Sequence, residues 1–158
     1  MRNSPTKRRR KRARKPVSAS EITTFQVAQR YLEARVNYEH QRITKLDPAD
    51  FKLGRMQSLL GALQNPQEDL KFVHVAGTVG KGSTIAMISA LLSGCGYVVG
   101  QYTSPHLQDF RERISINGEL IDKGSFTELV QQVAAAADQC DIDPTYFEVL
   151  TAVSMLYF

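Results

Sequence analysis

The chain has no tryptophan, only two cysteines and three histidines among 158 residues, and not one acidic residue in its first eighteen positions. Each scarcity argues against something. Cys95 and Cys140 stand far apart, with no CxxC spacing and no histidine nearby, which speaks against a disulfide framework or a zinc site. They read as small buried hydrophobes in a reducing compartment. No apolar run approaches the roughly 18 residues of a membrane span, and the start of the chain lacks the apolar segment of a secretory signal. A soluble, cytoplasmic protein without membrane contact is the expectation.

The missing acids matter most. Residues 1–18 hold nine of the twenty Lys and Arg, which leaves eleven basic against sixteen acidic residues in the rest, so the formal charge of +4 conceals a mildly acidic body. With Pro5 and Pro16 and almost nothing apolar, this segment cannot bury enough surface to offset the entropy of ordering, and a disordered tail is expected. Residues 2–15 could bind nucleic acid through counterion release, or could be a solvated extension without a partner. Residues 19–158 are long enough for one domain with a core.

What is present is led by His74-Val75-Ala76-Gly77-Thr78-Val79-Gly80-Lys81-Gly82-Ser83-Thr84, an apolar strand pattern running into a glycine-rich turn. Gly77, Gly80 and Gly82 let the backbone turn tightly and direct N–H groups at a polyanion, with the dipole of the following helix behind them. Lys81 supplies a mobile cation, and Ser83 or Thr84 a hydroxyl for magnesium. The strict GxxxxGK[ST] pattern is not met, because Val75 takes the place of the first glycine and Gly82 separates Lys81 from Ser83. The loop is a variant nucleotide-phosphate cradle.

Around it, residues 20–36 read as a packing helix capped by Ser20, with Ile22, Phe25, Ala28, Leu32 and Val36 on its apolar face. A polar stretch with Asp47-Pro48 precedes a short helix over 55–63, ended by Asn65-Pro66. Residues 71–76 and 97–102 read as buried strands joined by the glycine loop and a helix over 82–93, a right-handed βαβ unit with a parallel sheet. The glycine loop and Thr103-Ser104-Pro105-His106 then share the carboxyl edge of that sheet, where ligands bind. Residues 113–121 alternate about Asn117-Gly118, a hairpin signal, and 122–137 is an amphipathic helix. Residues 145–158 form a helix that is apolar nearly all round. Such a helix is normally buried inside a larger domain; one possibility is that its exposed apolar face is covered by a separately encoded remainder.

Three positions outside the loop have two readings each. Ser104 is a turn residue or a ligand, and His106 is a solvated loop histidine or a binding group. In Thr145-x-x-Glu148 the glutamate is the reciprocal partner of a capping box, or a carboxylate for magnesium beside phosphates.

Four motifs together carry a resemblance: His74 to Thr84; Tyr102-Thr103-Ser104-Pro105-His106-Leu107; Phe110-Arg111-Glu112-Arg113-Ile114 with Asn117-Gly118-Glu119; and Thr145-Tyr146-Phe147-Glu148-Val149-Leu150-Thr151-Ala152. In order and spacing they resemble the folylpolyglutamate synthase and dihydrofolate synthase family, Mur-ligase-like ATP-dependent enzymes, over about residues 50–158. Val79 and Gln64 depart from the family pattern. The resemblance implies an α/β fold, a P-loop parallel sheet with flanking helices that forms part of the Mur-ligase ATPase domain. It implies that Gly77, Thr78, Gly80, Lys81, Gly82, Ser83 and Thr84 hold ATP, with Lys81 as the catalytic cation. It further implies that Ser83, Ser104 and Glu148 bind Mg2+, and that His106, Phe110 and Arg113 lie on the pterin side. The reaction implied is ligation of L-glutamate to dihydropteroate or a folate through an acyl phosphate.

That family continues well past the Glu148 helix into a glutamate-binding domain, so the expectation is an N-terminal fragment without detectable ligation on its own. The rival is a non-catalytic nucleotide-binding domain tethered through its basic arm.

Overall fold

The computed structural model describes residues 17–38 and 53–158. The basic arm and the Asp47-Pro48 turn lie outside the described residues. Helices α1 (Phe25–Glu33), α2 (Leu53–Ala62), α3 (Lys81–Gly94), α4 (Lys123–Gln139) and α5 (Tyr146–Tyr157) accompany strands β1 (Gly100–Tyr102), β2 (Ile114–Ile116) and β3 (Glu119–Leu120).

The first helix starts later than its pattern suggested. Ser18, not Ser20, heads a short 3-10 turn over Ala19–Glu21, and the Glu21 carboxylate accepts the Ser18 N–H and hydroxyl at 2.9 and 3.0 Å. Ile22, Thr23 and Thr24 are β-branched and leave the helical path, so α1 begins at Phe25. Ile22 is nonetheless fully buried, whereas Val36 is exposed.

The core lies among helices. α4 is its axis: α1, α2, α5 and the Ala19–Glu21 turn all pack on it. Phe126, Val130, Val133, Ala134 and Ala137 recur at helical spacing on its buried side, meeting Ala28, Tyr31 and Leu32 of α1, Leu59 of α2, and Val149, Leu150 and Val153 of α5. Asp122 caps α4 by accepting the N–H groups of Gly124 and Ser125 at 2.8 and 3.0 Å. Helix α5, expected to leave apolar surface uncovered, is largely sheathed by these neighbours, with Phe147 its exposed large apolar side chain.

The α/β character holds, but the sheet differs from the expected one. Among the described residues the strands form one antiparallel ladder in the order β1, β2, β3, with Gly100 opposite Ile116 and Tyr102 opposite Ile114. The β2–β3 hairpin turns at Asn117 and Gly118, both at positive φ, as its sequence foretold. Residues 71–76 form no strand. They run into the glycine loop without a ladder partner, because a strand exists only through its neighbour's hydrogen bonds and no neighbour lies among the described residues.

The helix after the loop shares this openness. Of α3 only Ser89 is buried; Met87 and Leu91 on it, and Phe72, Val73, Tyr97 and Val98 in the segments before and after it in sequence, are exposed. Cys95, expected to be buried, is exposed at the end of α3, and Cys140 is half-buried.

Candidate functional site

At the glycine loop, residues 78–80 bend the backbone sharply into α3. Gly80 is the N-cap at φ +77°, a conformation that a side chain would strain, which is why glycine stands there. Its carbonyl accepts the Thr84 N–H at 3.0 Å and the Thr84 hydroxyl at 2.9 Å, closing the first turn. Thr84 is thus engaged by the helix itself. The N–H groups at the start of a helix have no partner within it, and here they meet solvent at the mouth of the loop. Lys81 folds back across the loop and donates from Nζ to the Gly77 carbonyl at 2.7 Å. Gly77, Thr78, Gly82 and Ser83 are exposed.

A second locus is a cavity of about 340 Å³ between the end of α1, the loop after β1 and the start of α5. His106, Gln108 and Phe110 form one wall, and Gln29, Leu32 and Arg35 the other. The Tyr146 N–H donates to the Val36 carbonyl at 3.0 Å, tying the start of α5 to the segment after α1. Arg35 pairs with Asp143 and lies 4.1 Å over the Tyr31 ring. Phe110 stacks on Phe25 at 5.4 Å and meets Phe126 at 4.8 Å, so it joins the cavity to the core.

The loop that carries His106 is held from the turn below it. Arg113, 1% exposed, donates from Nε to His106 Nδ1 at 2.9 Å and lies 5.6 Å from the Tyr146 ring centre. With Nδ1 accepting, the neutral imidazole carries its proton on Nε2. Asp109 caps the Phe110–Arg113 turn and is bound by the Arg111 side chain, which together with the Arg111 N–H holds its carboxyl below the usual carboxylate range. Glu112 is likewise held low, by N–H groups of Asp109, Leu107 and Gln108.

Of the expected site residues, the structure brings His106, Phe110 and Arg113 together. Among the described residues no hydrogen bond joins any two of Ser83, Ser104 and Glu148. Ser83 and Ser104 are exposed, and neither hydroxyl bonds within the described residues. Glu148 is committed elsewhere: Arg55 Nε lies 3.0 and 2.9 Å from its two oxygens, and Oε2 also accepts the Thr145 N–H and hydroxyl at 2.7 and 2.9 Å. Two hydroxyls and a carboxylate are all-oxygen donors, which suit Mg2+ in kind. A cation at Glu148 would share the carboxylate with Arg55 or displace it.

Arg55 as this partner, and Gln29, Leu32 and Arg35 as cavity wall, were not singled out by the sequence. The α1 residues read as ordinary helix face and loop, and their meeting with a loop some seventy positions on has no local signal.

No family model matches the chain. The dihydrofolate synthase/folylpolyglutamate synthase of Bacillus subtilis is 46% identical over 110 residues, 67% of this chain and 26% of that protein. The chain is a relative of the folylpolyglutamate and dihydrofolate synthases. The folylpolyglutamate synthetase structure from Lactobacillus casei superposes with a TM-score of 0.74 at 33% identity, covering 86% of this chain and 33% of that one. A folylpolyglutamate synthase complex with AMPPCP and folate gives 0.74 at 33% identity, over 86% of this chain and 32% of that one. The chain therefore spans 26% to 33% of the length of these synthases.

Proposed function

We propose that this chain carries the nucleotide site and part of the acceptor site of an ATP-dependent ligase that joins L-glutamate to dihydropteroate or a folate. In this reading the acceptor carboxylate attacks the γ-phosphorus of ATP, ADP leaves, and an acyl phosphate forms. The glutamate amine then attacks the acyl carbon, loses a proton and expels phosphate, leaving an amide.

The observation that carries the reading is the glycine loop at the N-terminus of a 14-residue helix, with Lys81 poised across it. Relatives solved with AMPPCP and with folate support the same substrates. The backbone N–H groups of Gly82 and Ser83 would meet phosphate oxygens, and Lys81 would trade the Gly77 carbonyl for them. Neutralising the charge that develops on the transferred group is most of what such a site contributes. Ser83, Ser104 and Glu148 are the residues that would hold Mg2+, which supplies further neutralisation of the phosphates. His106 and Phe110 would bind the pterin side, with Arg113 behind them.

Thermal unfolding with and without Mg-ATP tests the site directly, since a ligand that binds only the folded state raises its stability. The wild-type chain should shift upward, and Lys81→Ala should not. Equal shifts in both would sink this assignment of the loop.

A further inference from the structure

The loop from Ser104 to Asp109 has no regular hydrogen bonding of its own, yet it presents two cavity-wall residues, His106 and Gln108. Its residues 107–109 are gathered by a single carboxylate. Glu112 accepts the N–H of Leu107 at 2.7 Å through Oε2, and those of Gln108 and Asp109 at 3.0 and 2.8 Å through Oε1.

A capping box explains only one of these bonds. In Asp109-x-x-Glu112 the reciprocal glutamate returns to the N–H of the cap residue, which is Asp109. The Leu107 and Gln108 bonds are extra. Three successive N–H groups converging on one point form a concavity that ordinarily binds an anion, and here it is filled from within the chain. The loop is anchored at its other end too, where the Thr103 N–H donates to the Arg113 carbonyl at 2.9 Å and Arg113 holds His106.

We propose that Glu112 is a positioning residue for the acceptor substrate. By gathering the backbone of residues 107–109 it sets Gln108 and His106 on the cavity wall, with the imidazole presenting Nε2–H to the ligand. This rests on the acceptor-site reading above. Glu112 itself does not line the cavity and belongs to neither the glycine loop nor the core, so its effect on ligands should be confined to the acceptor.

The test uses the full 158-residue chain as wild type, Glu112→Gln and Glu112→Asp. Glu112→Gln keeps the size but puts an amide NH2 among N–H donors. Amide hydrogen exchange is read at Leu107, Gln108 and Asp109, and calorimetry gives affinities for dihydropteroate and, separately, Mg-ATP. Expected for Glu112→Gln are exchange at the three amides and a dihydropteroate Kd each raised by about tenfold, the scale of a lost charge-assisted bond. The Mg-ATP Kd should be unchanged, and Glu112→Asp should recover part of the loss.

Unchanged exchange at the three amides overturns the proposal, as does faster exchange with unaltered dihydropteroate affinity. An equal loss for both ligands overturns it as well, since that marks general destabilisation. A wild-type chain that binds Mg-ATP but no dihydropteroate refutes the acceptor-site reading itself and removes the substrate role of Glu112, leaving it a loop clamp.

Discussion

Both oxygens of Glu148 already accept hydrogen bonds, from Arg55 and from Thr145. The two side chains of the pair are only 25% and 15% exposed, so breaking it from one side leaves a poorly solvated charge. Arg55→Met should cost roughly 1–3 kcal/mol in denaturant unfolding, between the values for exposed and fully buried pairs. If Glu148 also serves Mg2+, the same variant should need no more Mg2+ to bind ATP than the wild type does. A raised requirement would show that Arg55 helps the site rather than competing for it. The capping box was legible in Thr145-x-x-Glu148; the arginine was not, because it lies 93 positions away.

Carboxylates held low by their surroundings also set an acid limit. Asp109, Asp122 and Glu112 all titrate below their ordinary values of 3.8 and 4.5, through bonds from Arg111, from Ser125 and from backbone N–H groups respectively. Their folded pKa values lie below their unfolded ones. The stability they contribute is therefore complete above the ordinary values and is lost as pH falls through 4.5 and 3.8 toward the lower folded values. Melting temperatures measured between pH 6 and pH 3 should fall over that interval, and Asp122→Asn should flatten the fall. An equally steep curve in the variant would refute the role of the cap.

At the scale of elements, β1 is held against α5 and the residue that follows it. Tyr102 meets the Phe147 ring at 5.8 Å and the Thr151 hydroxyl at 3.3 Å, which joins the strand before Ser104 to the helix that bears Glu148. At its other end, Gly100 leaves room for the ring of Phe158: a Cβ there would stand 2.4 Å from a ring carbon. Gly100→Ala should lower stability by about 1–3 kcal/mol through overpacking, read by thermal or denaturant unfolding. A neutral result would mean that Phe158 swings away without cost. Neither contact was readable locally, whereas the helices and the Asn117-Gly118 hairpin were, since spacing and turn chemistry fix those within a few residues.

At the scale of the molecule, the helical body and the region of the glycine loop are unequally covered. The body has a closed core around α4, while the approach to the loop and α3 leave large apolar side chains in water, Leu91 at 71% and Val98 at 77% exposed. Exposed apolar side chains of this size bind hydrophobic dyes and promote association where they cluster. The wild-type chain should enhance the fluorescence of such a dye in its native state, and Phe72→Lys with Leu91→Lys should reduce that signal while leaving the melting temperature nearly unchanged. A large drop in melting temperature would show instead that these side chains support the fold.

The sequence by itself determined the glycine loop, the existence of the helices, the buried face of α4, the hairpin and the kinship to the synthases. Those features are written in short-range spacing, glycine placement and motif order. Only the tertiary structure decided that residues 71–76 stand without a ladder partner and that α5 is covered while α3 is not. It also decided that Arg55 holds Glu148 and that α1 supplies a wall to the cavity of His106 and Phe110. Strand pairing, burial and ion pairing are relations between distant segments, and no local pattern encodes which partner will be there.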